Sequence, residues 1–269
     1  LTTLFSSELL DQLMDEVLAS SKYRHLPATL VRALGADELA KRRKLADAVK
    51  ATKNKLHQIA GAYQLGKPDY AAWLATLRAA PDGAAQRTVC TTLMAHHAST
   101  RERLTMLADF YTTLFAGLPP ITRLLDLACG LNPLARPWMP LAADAHYLAC
   151  DLYDDQMAFL QEALLLLGGS ADAFVWDLLQ GAPPHAADVA LLLKTIPCLE
   201  QVDKTIGARL LATVNAPVLI VSFPVQSLGG RQKGMAVNYE RHFGELVAGQ
   251  PWRIDRFSFV NELIFRVVR

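Results

Sequence analysis

The stretch Leu124-Leu125-Asp126-Leu127-Ala128-Cys129-Gly130-Leu131-Asn132-Pro133 decides how this chain is read. An apolar run closes on an acidic residue and a tight glycine turn, the pattern of a buried parallel strand opening onto a ligand. A dinucleotide fingerprint has three glycines to let the backbone approach a pyrophosphate, and this loop has one. The pattern implies a nucleoside ligand without phosphates, of which S-adenosylmethionine is the common case.

The same rhythm continues downstream. Strands are expected at Arg123–Leu127, Ala145–Cys150, Ala173–Trp176, Val189–Leu193 and Val218–Phe223. Helical patterns separate several of them, as at Asp155–Leu167 and Val202–Val214. Arg253–Phe259 and Glu262–Val268 then form two β-rich runs around Val260-Asn261. Parallel strands with helical crossovers and a terminal antiparallel hairpin give an α/β, doubly wound, Rossmann-like sheet with a reversed edge. That layout resembles the class I methyltransferases.

Upstream the chain reads as helices, so residues 1–118 are assigned to an all-helical N-terminal domain and 119–269 to the sheet domain. Phe5, Leu9, Leu13, Val17 and Leu18 recur at helical spacing, and Pro27 suits the first turn of a second helix. A third helix is expected from about Asp37 to Gly61, with Arg43 and Lys50 on nearly the same side. Ser99 and Glu102 have the spacing of a capping box, which predicts a helix start and a buried face of Leu104, Leu107, Tyr111, Leu114 and Phe115. Gly117 and Pro119-Pro120 end it.

Composition narrows the class. The 269 residues are 52% hydrophobic, enough for a sizeable core, yet no apolar run approaches the ~20 residues of a membrane span. The opening residues carry no basic region followed by an apolar core, so no secretory signal is expected. Cys90, Cys129, Cys150 and Cys198 form no C-x-x-C pair and read as reduced thiols of a cytoplasmic protein. His96-His97 has no third ligand at usable spacing, so no metal site is expected. Net charge is +1 but unevenly spread: residues 1–118 hold 15 Lys/Arg against 11 Asp/Glu, and the remainder 12 against 15. Lys41, Arg43, Lys50 and Lys53 lie in the basic cluster, which is either a solvated helix face or a phosphate-contacting surface.

Three acids fall at strand ends in step with the βα repeat: Asp126, Asp151 and Asp177. Asp151 ends the second strand, where a carboxylate grips ribose hydroxyls. Asp177 is placed to accept from an adenine amino group while the Leu178 N–H donates to the ring. Asp is also favoured at caps and turns, the plainer account. Arg101 and Arg103 are both candidates for the cofactor carboxylate, and spacing alone does not choose between them. After the fifth strand, Gly229-Gly230-Arg231-x-Lys233-Gly234 is suited to a phosphate backbone, and is equally a surface-loop pattern. Pro197-Cys198 follows the fourth strand as in cytosine-C5 methyltransferases, against the reading of a packed, inert thiol.

Three longer motifs carry a family resemblance. His97-Ala98-Ser99-Thr100-Arg101-Glu102-Arg103-Leu104, Ala128-Cys129-Gly130-Leu131-Asn132-Pro133, and Ser222-Phe223-Pro224 continuing to Asn238-Tyr239 resemble the 16S rRNA (guanine-1405 N7) methyltransferases, which give resistance to 4,6-disubstituted aminoglycosides. The likeness runs from Ser20 to the terminal hairpin. It implies a helical domain that docks on 16S rRNA in the small ribosomal subunit, and the chain is expected to act as a monomer. It further implies His97, Ala98, Ser99 and Arg103 around the methionine part, and Ala128 and Gly130 along the aminopropyl chain. Asp151 would hold the ribose and Asp177 with Leu178 the adenine, with Tyr63 and Leu193 also in the site. Arg231, Lys233, Met235 and Asn238 would face the rRNA and its flipped base. Guanine N7 offers an in-plane lone pair, so no general base is expected. Competing readings are a ribosome-binding protein of this fold with another rRNA target or little activity, and a small-molecule methyltransferase.

Overall fold

A computed structural model of the protein describes residues 2–226 and 234–269. Seven strands form one sheet: β1 (Arg123–Leu127), β2 (His146–Asp151), β3 (Ser170–Val175), β4 (Val189–Leu193), β5 (Val218–Pro224), β6 (Arg253–Phe259) and β7 (Glu262–Val268). Their order is β3-β2-β1-β4-β5-β7-β6. The first five are parallel, β7 runs antiparallel to β5, and β6 is antiparallel to β7 at the edge. All seven expected strands are present, each within three residues of its expected ends.

Eleven α-helices surround the sheet among the described residues: α1 (Thr2–Leu18), α2 (Ala28–Lys41), α3 (Leu45–Leu56), α4 (Tyr70–Ala79), α5 (Gly83–Met94), α6 (Ala98–Arg103), α7 (Leu107–Phe115), α8 (Asp154–Leu166), α9 (Ile196–Leu199), α10 (Ile206–Thr213) and α11 (Met235–Leu246). Strand periodicity sorts the core into two layers. Leu124, Tyr147, Leu191 and Ile220 pack against α4, α5, α7 and α8. Leu125, Leu148, Leu192 and Val221 face α9, α10 and α11. No helix among the described residues is long and apolar enough to cross a membrane.

The helices of residues 1–118 pack in two places. Helices α4, α5 and α7 share the core of the sheet, whereas α1–α3 build their own around Leu13, Leu30, Val31 and Leu56, joined by Leu152 and Tyr153. Packing thus groups α1–α3 around one cluster and α4, α5 and α7 around another. His25 fastens the α1–α3 unit to α8: its Nδ1 lies 2.7 Å from an Asp154 carboxylate oxygen, and its carbonyl accepts the Asp154 N–H at 3.0 Å.

The single helix expected from Asp37 to Gly61 is two helices and a π-helical turn. Arg42 is extended at φ −131°, α3 begins at Leu45, and His57–Gly61 closes as the π turn. The break lets α3 fold back so that Ala48, Val49 and Leu56 meet Leu30, Val31 and Leu34 of α2. Buried Glu38 collects Arg42 and, at 2.7 Å, Lys55 of α3. Arg43 consequently sits in the break and shares no helical face with Lys50.

The Ser99–Glu102 capping box does not form. His97 is the cap position, because an antiparallel bridge of Gln64 with His97 and the Ala98 N–H to Tyr63 carbonyl bond (2.9 Å) fix the chain two residues earlier. Helix α6 then passes through a 3-10 turn, Leu104–Met106, into α7, so the expected continuous helix is interrupted.

Candidate functional site

A cleft of about 870 Å³, mouth included, opens at the carboxyl ends of β1, β2 and β4. It lies where open parallel sheets bind ligands. The Gly-loop after β1 is built for close approach. Gly130 has φ +54°, and a Cβ there would lie 2.6 Å from the His97 ring. Ala128 and Lys194 are the only non-glycine residues at positive φ among those described, at 51° and 59°. Both lie in the cleft wall, at the ends of β1 and β4. Such backbone costs about 1–3 kcal/mol per residue, and it concentrates where a site needs it.

Asp151 faces the cleft with both oxygens oriented: one accepts the Gly130 N–H and the other the Leu152 N–H, each at 2.7 Å. Burial raises its carboxyl, and these two N–H donors partly counter the rise. Asp177 caps the short turn that follows β3 through the Leu179 N–H at 3.0 Å, so the cap reading holds while the residue also lines the cleft. Asp126, in the inner wall, accepts from Asn132 Nδ2 (2.8 Å) and the Tyr147 hydroxyl (2.7 Å). Burial pushes its carboxyl up to about 7 despite those bonds.

The opposite wall is cationic. Arg103 is 1% exposed and forms a two-pronged pair with Glu262 of β7, both contacts at 2.8 Å; its Nη1 lies 3.3 Å from Asn132 Oδ1. Arg101 is exposed and does not line the cleft, whereas Arg103 does. Lys194 stands beside it, with Nζ 3.7 Å from Glu262 and paired with Glu102. His97 is held neutral: burial, then Arg103 and Lys194, lower it to about 3. Its Nδ1 and the Tyr153 hydroxyl are buried at the cleft wall without a hydrogen-bond partner among the described residues.

Tyr63, His97, Ser99, Arg103, Ala128, Asp151, Asp177, Leu178 and Leu193 all line the cleft. Ala98 and Gly130 do not. Ala98 is buried and spends its N–H on Tyr63, and Gly130 lies behind the His97 ring, so each shapes the wall from outside it. Sequence reasoning missed Lys194, Trp176 and Glu262. A lysine ending the Leu191-Leu192-Leu193 run was the available signal for the first. Cys198 packs in the wall, its Sγ donating to the Lys194 carbonyl at 3.1 Å and lying 2.8 Å from the Tyr63 hydroxyl. Burial pushes this thiol up to about 11, which favours the thiol over the reactive thiolate.

Lys41, Arg43 and Lys50 are exposed and Lys53 is half-buried on the N-terminal unit. Met235 and Asn238 lie in the first turn of α11, beyond the cleft mouth. Arg231 and Lys233 fall outside the described residues.

The site tests well against S-adenosylmethionine. Oriented carboxylates of Asp151 and Asp177 suit ribose hydroxyls and an adenine amine. Leu178, Leu179 and Trp176 offer apolar surface for a purine, and the unpartnered His97 Nδ1 and Tyr153 hydroxyl provide polar atoms a ligand would satisfy.

Comparison with known proteins agrees. A family model described as ribosomal RNA methyltransferase (FmrO) matches residues 19–266. The 16S rRNA (guanine(1405)-N(7))-methyltransferase of Micromonospora echinospora is 41% identical over 270 residues, covering 98% of both chains. Its Serratia marcescens counterpart is 32% identical, covering 94% of this chain and 96% of that one. The crystal structure of the 16S rRNA methyltransferase RmtF with S-adenosyl-L-homocysteine superposes with a TM-score of 0.82 at 32% identity, over 97% of this chain and 98% of that one. The 16S rRNA methylase RmtB gives 0.75 at 28% identity, over 97% and 98%.

Proposed function

Because this chain belongs to the ribosomal RNA methyltransferase (FmrO) family, we propose that it methylates N7 of guanine-1405 of 16S rRNA from S-adenosylmethionine. The substrate is the assembled small subunit, and the enzyme acts on it as a cytoplasmic monomer. The observation that carries this reading is the cleft, which joins oriented carboxylates at two strand ends to a buried arginine at the other wall.

S-adenosylmethionine bound there supplies a methyl group on a positively charged sulfur. Asp151, fixed by two backbone N–H groups, holds the ribose, and Asp177 with the Leu178 N–H holds the adenine. Arg103 presents Nη1 to the carboxylate of the methionine part while Glu262 holds its other edge, with His97 and Ser99 completing that end. Guanine N7 attacks through its lone pair without losing a proton, so the protein's task is positioning. Buried Cys198 and half-buried Tyr63, both held neutral, agree with that economy.

Lys50 and Lys53 on α3, with Lys41 and Arg43 beside them, meet the rRNA backbone. Arg231, Lys233, Met235 and Asn238 serve the flipped base, whose unstacking costs a few kcal/mol. Methylation leaves a fixed positive charge on the guanine and removes an acceptor. Both changes oppose a polycationic aminoglycoside, which accounts for resistance to the 4,6-disubstituted class.

The test is incubation of purified protein with small subunits and tritiated S-adenosylmethionine, followed by borohydride–aniline cleavage. Strand scission at guanine-1405 is the expected result. Methyl incorporation elsewhere, or none beside an active control enzyme, overturns the proposal.

A further inference from the structure

Glu102 does not line the cleft, yet it is held from two sides, by a cleft residue and by the β6–β7 turn. Its carboxylate pairs through Oε2 with Lys194 Nζ, and Lys194 lines the cleft at the end of β4. Its carbonyl lies 3.3 Å from Asn261 Nδ2, in the turn between β6 and β7. Asn261 Oδ1 in turn accepts from Gln226 at 3.2 Å, at the end of the strand that leads toward Arg231 and Lys233. Glu102 thus links Lys194 of the cleft wall to the β6–β7 turn and, through Asn261, to Gln226 just beyond β5.

Four charges form one cluster there. Arg103, Lys194 and Glu262 are 1%, 6% and 0% exposed at their side chains, whereas Glu102 is 22% exposed. Glu102 is the most exposed member of the cluster. Among the described residues Oε1 has no hydrogen bond, and a carboxylate accepts about four. The spare capacity is the open Oε1 and the remaining lone pair of Oε2, in a carboxylate fixed by Lys194 of the cleft wall.

Guanine is the base that matches it. Its Watson–Crick edge presents two donors side by side, N1–H and the exocyclic amine, whereas adenine presents an acceptor at N1. We propose, on the basis of the guanine-N7 reading above, that Glu102 recognises the flipped guanine through N1–H and N2–H, with Lys194 as the positioning residue for its carboxylate. Pinning that edge leaves N7 free on the far side of the ring. The interaction also strengthens during reaction. As N7 forms its bond to the methyl carbon and the sulfur–carbon bond breaks, the positive charge moves from sulfur to the purine. N1–H becomes a better donor facing a carboxylate, so the contact acts more on the transition state than on the bound substrate.

The experiment compares wild type with Glu102→Gln on small subunits reconstituted with guanine or inosine at position 1405, inosine lacking the exocyclic amine. Cofactor affinity is measured in parallel by calorimetry. Wild type is expected to methylate inosine roughly 10- to 100-fold more slowly than guanine, because the site is left with an unmet acceptor. Glu102→Gln is expected to lose kcat on guanine by a similar factor, to discriminate the two bases by less than about 3-fold, and to keep wild-type cofactor affinity. Equal wild-type rates on both bases overturn the proposal even if the variant fails to fold. So does a variant that still discriminates fully, or whose defect follows a matching loss of cofactor affinity. A wild-type enzyme inactive on guanine-1405 subunits refutes the methylation reading, a separate failure that this inference would share.

Discussion

Glu262→Gln isolates the charge that holds the cofactor-facing arginine. The substitution keeps shape and removes the negative partner of a guanidinium that is 1% exposed and bound through two 2.8 Å contacts. It also takes the countercharge from Lys194 Nζ at 3.7 Å and weakens the acceptor of the Ser222 hydroxyl. The cluster of Arg103, Lys194, Glu102 and Glu262 passes from neutral to a net single positive charge in a buried setting. Breaking one side of a buried ion pair costs about 3–5 kcal/mol, a large share of the roughly 5–15 kcal/mol of a typical domain. The expected drop in Tm is about 6–20 °C for a chain of this size. Urea unfolding followed by circular dichroism measures it, with an unchanged m value certifying that the native state is being compared. The pH dependence has a definite sign. Burial alone would raise the Glu262 carboxyl, but Arg103 and Lys194 outweigh it and hold the group below the ordinary glutamate range. Its contribution is therefore complete at neutral pH and disappears as pH falls through that lowered value, so wild type and variant converge in acid. A double variant, Arg103→Met with Glu262→Met, should return to within about 1–2 kcal/mol of wild type while losing cofactor binding. A Glu262→Gln loss below about 1 kcal/mol at pH 7 would refute the reasoning.

Asp126 has the opposite pH sign, because burial lifts its carboxyl to about 7. Its protonated form is favoured in the folded chain, so stability relative to Asp126→Asn should fall by a few kcal/mol as pH rises from about 4 to 7; a flat difference in urea midpoints across that window contradicts the assignment. Cys198→Ala should retain kcat within about 3-fold, since a buried thiol raised to about 11 supplies little thiolate. Abolished methyl transfer with intact folding would make the cysteine chemical after all. Lys50→Gln with Lys53→Gln should weaken small-subunit binding and reduce the salt slope by about 0.7–0.9 per charge removed, with cofactor affinity unchanged. A salt slope equal to wild type would make these lysines an ordinary solvated face.

The parts of this architecture legible in sequence are those set by local periodicity. Leu124 and Leu125 alternate between two helical layers, and each acid that ends a strand falls at the cleft because a parallel sheet presents all those ends together. The basic helix was misread for the complementary reason. Lys41 through Lys44 keep a helical composition, but buried Glu38 and the fold-back of α3 decide the break, and both are tertiary. The same holds at Ser99 and Glu102, whose capping spacing is overridden by the Gln64–His97 bridge, releasing Glu102 to reach Lys194. Arg103 and Glu262 are 159 residues apart, and no window along the chain joins them. A sequence can thus name the arginine that meets a cofactor without naming what holds it. Here the holder lies on β7, the one strand running antiparallel to β5. The reversed strand starts, rather than finishes, at the cleft, so its first residue, Glu262, reaches the site from which the rest of β7 recedes. Reversal of this strand is therefore a direct contributor to the site, and not only a way of closing the sheet.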